Sequence, residues 1–177
     1  MKPHETSEQK KRIALVSTGG TIEKTYDELQ GVLSNQVSVL DVMLASLFLE
    51  GVAITRVALM NKDSLDMTPE DHGRIAQVAG ELAAIHDGVI IVHGTDRLSV
   101  SGEHCVKVLG RPRVPIVFTG ALRPFELRTT DALQNLTEAL LAVQILSPGV
   151  YVVIHDKVLE FPGVVKDPAR GTFVRLT

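Results

Sequence analysis

Length, composition and charge restrict this sequence to an ordinary globular class. The chain has 177 residues, of which 45% are hydrophobic and 22% charged, which is enough for one domain with a real core. A net charge of −3 and 4% aromatic residues give no basis for a nucleic-acid partner. No basic run indicates a membrane surface as partner.

The N-terminus and the cysteine content indicate a cellular compartment. The first 12 residues, MKPHETSEQKKR, lack the apolar segment of a secretory signal. The single cysteine, Cys105, excludes an internal disulfide and a cysteine-based zinc site. We expect residues 1–11 to form a flexible tail, residues 12–177 to form the domain, and the protein to be cytoplasmic with a reduced thiol.

Apolar runs and helical patterns alternate along the chain. In chain order the predicted elements are a strand at 13–17, a helix at 39–49, a strand at 53–60, a helix at 69–86, a strand at 89–92, a helix at 101–109, a strand at 116–119, a helix at 131–146 and a strand at 150–155. The strands are rich in Val and Ile without polar alternation, which is typical of parallel strands covered on both faces. The sequence therefore predicts a doubly wound α/β domain, flavodoxin- or Rossmann-like, with a mainly parallel sheet between two helical layers.

Polar residues and glycines follow every predicted strand. These segments are 18–21 (TGGT), 61–66 (NKDSLD), 93–96 (HGTD), 119–124 (TGALRP) and 155–156 (HD), with Lys166 one loop later. Ligands of open α/β sheets bind beyond the carboxyl ends of the strands. We therefore expect these segments to converge on one polar pocket.

Each of these segments also has a purely structural interpretation. The glycine pair is compatible with a tight turn, and Asp96 with an N-cap for the following helix. Residues 64–66 are compatible with a shaped turn, His93 with a hydrogen-bonded structural histidine, and Lys166 with a solvated surface charge.

The TGGT segment differs from phosphate-binding loops. It lacks both the P-loop spacing and the GxGxxG fingerprint. Gly19 and Gly20 allow close backbone approach and offer amide N–H groups, while Thr21 presents a hydroxyl. Because acyl transfer needs a nucleophile beside oxyanion donors, we predict that Thr21 is aimed at a carbonyl.

Four segments together resemble the signature segments of bacterial-type L-asparaginases: STGGTIEKTY, VHGTDRLS, VFTGALRPFELRTTDALQNL and GVYVVIHDKVLEFPGVVK. The resemblance runs from Arg12 to the C-terminus and covers only the larger, N-terminal domain of the usual enzyme. It implies a short, single-domain member that hydrolyses L-asparagine to L-aspartate and ammonia. Glutaminase activity is expected to be weak or absent, and no metal or other cofactor is implied.

The resemblance also implies roles for individual residues. The catalytic residues it implies are Thr21 as acylated nucleophile, Tyr26 as its assistant, and Thr95, Asp96 and Lys166 as a second triad. The substrate-binding residues it implies are Gly20, Ser64, Leu65, Gly94, Thr95 and Asp96, with Ser64 on the α-carboxylate and Asp96 on the α-amino group. Two positions depart from the family pattern: Arg97 stands where the family has threonine, and Leu65 where it has glutamine.

Two other functions remain open at this level. One is a catalytically weak binding protein that holds a small amino acid through Ser64 and Asp96. The other is a nucleotide-binding flavodoxin-like module, which the absence of a phosphate motif disfavours.

A homo-oligomer, at least a dimer, is also expected. In full-length family members a neighbouring subunit's C-terminal domain completes each site, and a second copy would cover an otherwise open crevice. The helices predicted at 39–49 and 131–146 are candidate surfaces, although covering the sheet is their simpler role.

Overall fold

The computed structural model describes residues 9–176. Its elements are β1 (Lys11–Gly19), β2 (Thr25–Asp27), β3 (Val32–Ser34), α1 (Leu40–Ala45), β4 (Val52–Lys62), α2 (Pro69–Ala83), β5 (Gly88–Val92), α3 (Leu98–Leu109), β6 (Pro115–Thr119), α4 (Ala132–Ile145), β7 (Gly149–Ile154), β8 (Lys157–Glu160), β9 (Val164–Asp167) and β10 (Thr172–Arg175). Two short 3₁₀ helices cover Thr21–Glu23 and Ser64–Asp66. Residues 1–8 of the predicted tail lie outside the described residues, and Lys11 already belongs to β1.

A six-stranded sheet forms the centre of the domain, in the order β4-β1-β5-β6-β7-β8. The first five strands of that order are parallel, and β8 returns antiparallel to β7. Two antiparallel hairpins, β2–β3 and β9–β10, stand apart from it. The prediction of a doubly wound, mainly parallel sheet is confirmed.

Helices cover both faces of the sheet. Along β1, Ala14 and Val16 face a core that α2 and α3 complete, whereas Ile13 and Leu15 face a core that α1 and α4 complete. This alternation follows from the period of two in a strand, and both faces are apolar because both are buried. Cys105 is a free, buried thiol on α3. The predicted three-layer arrangement is therefore confirmed.

Local signals place α2 accurately at its start. The Thr68 hydroxyl accepts a hydrogen bond from the Asp71 N–H at 3.3 Å, and the Asp71 carboxylate accepts one from the Thr68 N–H at 2.9 Å. With Pro69 as the first helical residue, this is a complete capping box. The helix ends at Ala83, three residues before the predicted end.

The helix predicted over 39–49 is wrong in extent, because α1 ends at Ala45. The Ser46 hydroxyl donates to the Met43 carbonyl at 2.6 Å, a local bond that competes with continuation of the helix. Beyond it Phe48 is 99% exposed. The helix predicted from residue 101 begins instead at Leu98.

Several short elements were not predicted from the sequence. The strands β2 and β3 have three residues each and are largely exposed, so they lack the apolar run that identifies a core strand. The strands β8, β9 and β10 have four residues each, too few for a clear apolar run, although Val164 and Phe173 of the β9–β10 hairpin, which carries Lys166, are buried. Within residues 9–176, no helix is both long and apolar enough to cross a bilayer.

Candidate active site

The candidate site lies where the order of the parallel strands reverses. The chain passes from β1 to β4 on one side and then to β5 on the other. Ligands of such sheets bind at this switch point, beyond the carboxyl ends of the strands. The segments after β1, β4 and β5 meet there.

The glycine pair after β1 combines a tight turn with close backbone contacts. Gly19 has a φ of 97° and Gly20 a φ of 82°, both in the left-handed region. A Cβ on Gly19 would lie 2.4 Å from the backbone nitrogen of Lys62, and one on Gly20 would lie 2.4 Å from the Gly94 Cα. The turn interpretation is therefore correct, and Gly20 is packed directly against Gly94, whereas the approach of this backbone to a ligand stays a prediction.

Gly20→Ala should therefore lower the free energy of unfolding by more than an alanine placed in a turn that has space for its side chain. Gly31 provides the control, since its φ is 70° but a Cβ added there would meet nothing within 4 Å. We expect Gly31→Ala to lower the free energy of unfolding by about 1 kcal/mol through backbone strain alone. Gly20→Ala should lower it by more than about 2 kcal/mol, because the clash with Gly94 adds to the strain. Urea unfolding measures both, and equal losses would contradict the contact.

Thr21 is half-buried and begins the 3₁₀ helix after the glycine pair. The peptides before it are held from two sides. Asn35 donates its side-chain N–H to the Gly20 carbonyl at 2.8 Å, and the Glu23 carboxylate accepts the Gly19 N–H at 3.2 Å. The same carboxylate accepts the Ser38 hydroxyl at 2.5 Å.

Glu23 was not identified from the sequence. Burial raises the pKa of its carboxyl, although the hydrogen bonds from Ser38 and Gly19 oppose that effect. The available signal was an acid placed directly after the apolar Ile22. Such a residue is expected to be buried only if it is hydrogen-bonded.

Lys166 joins the two residues that follow Gly94. Its ammonium nitrogen lies 2.9 Å from the Thr95 hydroxyl and 2.6 Å from the Asp96 carboxylate. The Lys166 side chain is only 18% exposed. The interpretation of Lys166 as a solvated charge is therefore wrong. Asp96 is not the cap of α3 either, since its N-cap is Arg97, which makes no side-chain capping bond.

Ser64 packs against the same glycine. It is buried, and a Cβ on Gly94 would lie 2.6 Å from its oxygen. Its hydroxyl accepts the backbone N–H of Arg97 at 3.3 Å. Leu65 is different: it is 58% exposed, and it donates its backbone N–H to the Asp63 carboxylate, which caps the 3₁₀ helix. Ser64 thus belongs to one group of neighbouring residues, called the cluster below, which also contains Gly20, Thr21, Gly94, Thr95, Asp96 and Lys166. Leu65 adds an apolar surface beside it.

Arg97 is exposed and turns toward the start of α2. Its guanidinium lies 3.5 Å from the Met67 carbonyl, the residue that follows the 3₁₀ helix carrying Ser64. The backbone of Arg97 therefore contacts the cluster, while its side chain runs along the cluster's edge.

Tyr26 is not brought to the cluster. It lies on β2 with its side chain 57% exposed. Its backbone N–H, rather than its phenol, makes the recorded contact, to the Glu126 carboxylate at 2.5 Å. The role that the resemblance implies for Tyr26 stays a prediction.

The segment after β6 closes the cluster on its other side. A Cβ on Gly120 would lie 2.2 Å from the His93 carbonyl oxygen and 3.5 Å from the Thr95 methyl group. The buried Asn135 side chain donates to the Gly120 carbonyl at 2.8 Å and accepts the His155 N–H at 3.1 Å. Asn135 thereby fastens this segment to the end of β7.

Asp131 holds the same segment one turn earlier on the helix. Its carboxylate accepts the N–H groups of Leu122 and Arg123, at 3.0 and 2.9 Å, and lies 2.7 Å from the His155 ring. Burial by itself would raise the pKa of Asp131, but these hydrogen bonds outweigh it and the pKa falls below its usual range. Neither Asp131 nor Asn135 was identified as a site residue, because an acid and an amide at the start of a helix are typical of capping.

His93 is fully buried beneath the cluster and has the structural role that remained open. Burial lowers the pKa of its imidazole to about 4, from 6.5. The ring nitrogens contact the Gly94 carbonyl and the Ser101 hydroxyl, each at 2.8 Å. A neutral, hydrogen-bonded imidazole is the form that such a site supports.

This burial predicts acid destabilisation. Because the unfolded chain protonates His93 first, the stability contributed by the neutral ring is complete above pH 6.5 and is lost as the pH falls toward 4. The loss should be about 3 kcal/mol for this residue. His93→Gln removes the titration, so the variant's free energy of unfolding should fall less steeply between pH 7 and pH 4. Parallel curves for the two proteins would contradict the prediction.

Within the described part of the chain, no group of three or more His, Cys, Asp or Glu side chains is placed to hold a metal ion. The chemistry that the cluster offers is that of hydroxyls, an amine, a carboxylate and backbone amides. Thr21 and Thr95 each follow one of two glycines whose backbones pack against each other, which brings the two threonines into one region of the chain's fold.

Comparisons with known proteins identify relatives over nearly the whole domain. The family model "Asparaginase, N-terminal" matches residues 12–171. The chain is 31% identical over 150 residues to the L-asparaginase of Thermococcus kodakarensis, covering 84% of this chain and 45% of that protein. It is 36% identical over 165 residues to a glutamyl-tRNA(Gln) amidotransferase subunit of Haloquadratum walsbyi, covering 92% of this chain and 36% of that protein.

The solved structure of the thermostable T. kodakarensis L-asparaginase superposes with a TM-score of 0.85 at 29% identity, over 93% of this chain and 51% of that one. The chain thus spans about half, or less, of the length of the relatives it matches.

Proposed function

Since the chain belongs to the asparaginase family, with residues 12–171 matching its N-terminal domain, we propose that it is an amidohydrolase that converts L-asparagine to L-aspartate and ammonia. The observation that carries the proposal is the position of Lys166. Its amine contacts Thr95 and Asp96, the two residues that follow Gly94, and Gly94 packs against Gly20, the residue before Thr21. This arrangement supports a site in which a basic group, a hydroxyl and a candidate nucleophile act together.

In the proposed reaction Thr21 is the nucleophile. Its oxygen attacks the side-chain amide carbon, and its proton passes through the Thr95 hydroxyl to the amine form of Lys166. Asp96 holds the resulting ammonium. Backbone N–H groups near Gly20 and Thr95 stabilise the oxyanion of the tetrahedral intermediate.

Collapse of that intermediate completes the acylation. Lys166 returns the proton to the leaving nitrogen, ammonia departs, and a Thr21 ester remains. Water then attacks the ester, giving its proton to the same relay, which restores the Thr21 hydroxyl as aspartate leaves. Ser64 and Asp96 are proposed to hold the α-carboxylate and the α-amino group of the substrate.

A second candidate is a glutamine-hydrolysing domain. It is favoured by the relatives named as glutamyl-tRNA(Gln) amidotransferase subunits, one of which is 36% identical to this chain. Against it, Leu65 places an apolar side chain beside Ser64, where a polar contact would help to hold a longer substrate in register. We therefore propose that glutamine is turned over more slowly than asparagine.

Ammonia release by the purified chain tests both candidates. Parallel assays with L-asparagine and L-glutamine should give the higher kcat/KM for asparagine. The reverse order would favour the glutamine-hydrolysing candidate. Binding of aspartate without ammonia release from either amide would favour the third possibility, a binding protein for a small amino acid.

Assembly and location are part of the same proposal. We propose a homo-oligomer, at least a dimer, in the cytoplasm, in which a second copy shields the open crevice from water. Apolar side chains stand exposed on or near the two surfaces predicted from the sequence, among them Phe48, Leu141 and Ile145. Phe48 precedes the start of β4 and Ile145 that of β7, so these surfaces lie toward the amino ends of the strands, and another part of the second copy would have to reach the crevice. Sedimentation across a dilution series, with ammonia release from the same samples, is the test. A fully active monomer would overturn it.

A further inference from the structure

A chain of buried hydrogen bonds runs beneath the candidate site, from α2 through α3 to the Gly94 carbonyl. The His72 Nδ1 lies 2.7 Å from the Ser101 hydroxyl, which lies 2.8 Å from the His93 Nε2. The His93 Nδ1 lies 2.8 Å from the Gly94 oxygen. All three side chains are buried, and the two rings stack with their centres 6.4 Å apart.

The partners determine the direction of every hydrogen bond in this chain. A carbonyl only accepts, so the His93 Nδ1 carries the proton and its Nε2 is an acceptor. The Ser101 hydroxyl must then donate to the His93 Nε2, and it accepts in turn from the Nδ1–H of His72. The sequence of donors ends at His72, whose Nε2 is buried without a partner among the described residues.

The end at His72 is consistent with a neutral ring. Burial, followed by the nearby positive charges of Arg97 and His104, lowers the pKa of His72, and Asp71 only partly opposes them. A neutral His72 has one N–H, which the Ser101 oxygen accepts. Its bare Nε2 is the acceptor that remains unpaired.

The direction of the Gly94 carbonyl fixes the direction of the Thr95 N–H, which belongs to the same peptide. The peptide between Gly94 and Thr95 is trans, so its carbonyl and its N–H point in opposite directions. Because His93 draws the carbonyl into the core, the Thr95 N–H points the opposite way, away from His93. This N–H is the donor that the proposed mechanism uses for the oxyanion.

We propose that Ser101 and His72 are positioning residues: their hydrogen-bond chain holds His93 in the Nδ1-protonated tautomer, and His93 thereby aims the Thr95 N–H at the oxyanion. The last step rests on the proposed function. The tautomer itself is a property of the resting protein and is testable without any activity.

The decisive variant is Ser101→Ala, which removes the donor to His93 and the acceptor for His72. Ser99→Ala is the matched control, since it makes the same change on the same helix and the Ser99 hydroxyl has no partner among the described residues. We expect Ser101→Ala to lower kcat by about 10- to 100-fold, less than the loss from deleting an oxyanion donor outright. The KM should stay within about twofold, and Ser101→Thr should recover part of kcat because it restores the hydroxyl.

Long-range ¹H–¹⁵N NMR of the histidine rings gives the independent readout. In the wild type we expect His93 to be protonated at Nδ1 alone. In Ser101→Ala the proton should distribute over both nitrogens, so the Nε2 resonance should move upfield and the Nδ1 resonance downfield, whereas Ser99→Ala should match the wild type. If Ser101→Ala fails to fold, His72→Phe takes its place, because it removes only the donor to Ser101. In that variant the His93 proton should also distribute over both ring nitrogens, to a smaller degree.

Two results would overturn the inference. One is a wild-type His93 protonated at Nε2, and the other is a Ser101→Ala kcat equal to that of Ser99→Ala. If the wild type releases no ammonia, the proposed function and the aiming of Thr95 both fail, while the spectra still decide the tautomer.

Discussion

Thr21→Ala is expected to reduce ammonia release from L-asparagine by at least about 10³-fold, because it deletes the oxygen that forms the acyl intermediate. Only the oxyanion donors and substrate binding would remain to accelerate the reaction. Thr21 is half-buried in a short 3₁₀ helix, so alanine should leave the fold intact. Initial rates at saturating asparagine, with unfolding curves for the same samples, measure both effects.

Two further substitutions make this result specific to Thr21. Thr21→Ser keeps a hydroxyl and should retain measurable turnover. Thr25→Ala makes the same change four residues later, on β2, and should lower kcat by no more than about twofold, the effect of an ordinary surface substitution. Near-normal ammonia release by Thr21→Ala would remove the threonine-nucleophile mechanism.

Lys166→Met is expected to have the second largest effect, a loss of about 10²–10⁴-fold in kcat. Methionine preserves much of the stem but removes the amine that contacts Thr95 and Asp96. The relay that takes the Thr21 proton would then end at Thr95. The pH–rate profile should also differ from that of the wild type, because the amine that accepts the proton in the proposed relay is gone.

Lys157→Met is the matched control for that experiment. Its amine lies 3.4 Å from the Thr172 hydroxyl and from the Phe173 carbonyl, outside the candidate site. We expect its kcat and its pH profile to stay within about twofold of the wild type. If Lys166→Met keeps both the rate and the profile, then Lys166 is a structural contact of the crevice and not part of the reaction.

The sequence by itself determined the elements whose signals are local. The Val- and Ile-rich runs identified all five parallel strands. The expected burial on both faces holds for β5, β6, β7 and most of β1, whereas β4 is an edge strand in which only Val52 is buried. Thr68, Pro69 and Asp71 identified the start of α2, since capping involves only neighbouring residues. The sheet topology then followed, because parallel strands joined by helices permit few arrangements.

Part of the candidate site was also accessible from the sequence. The rule that ligands bind beyond the carboxyl ends of parallel strands placed Thr21, Ser64 and Thr95 on one edge. The contacts among Gly20, Gly94 and Ser64 agree with that placement. The assignment of Lys166 came from family resemblance, since a lysine on a short hairpin has no local signal of its own.

Only the tertiary structure decided the contacts between residues far apart in the chain. Lys166 meets Asp96 across 70 positions, and Ser101 meets His72 across 29, distances over which neither periodicity nor capping carries information. The tertiary structure likewise decided the exposed position of Tyr26, whose backbone N–H contacts Glu126. It also decided the early end of α1, where the Ser46 hydroxyl bonds to the Met43 carbonyl. Local patterns report which residues must be buried, whereas the pairing of buried polar groups depends on which partners the packed layers bring within hydrogen-bond distance.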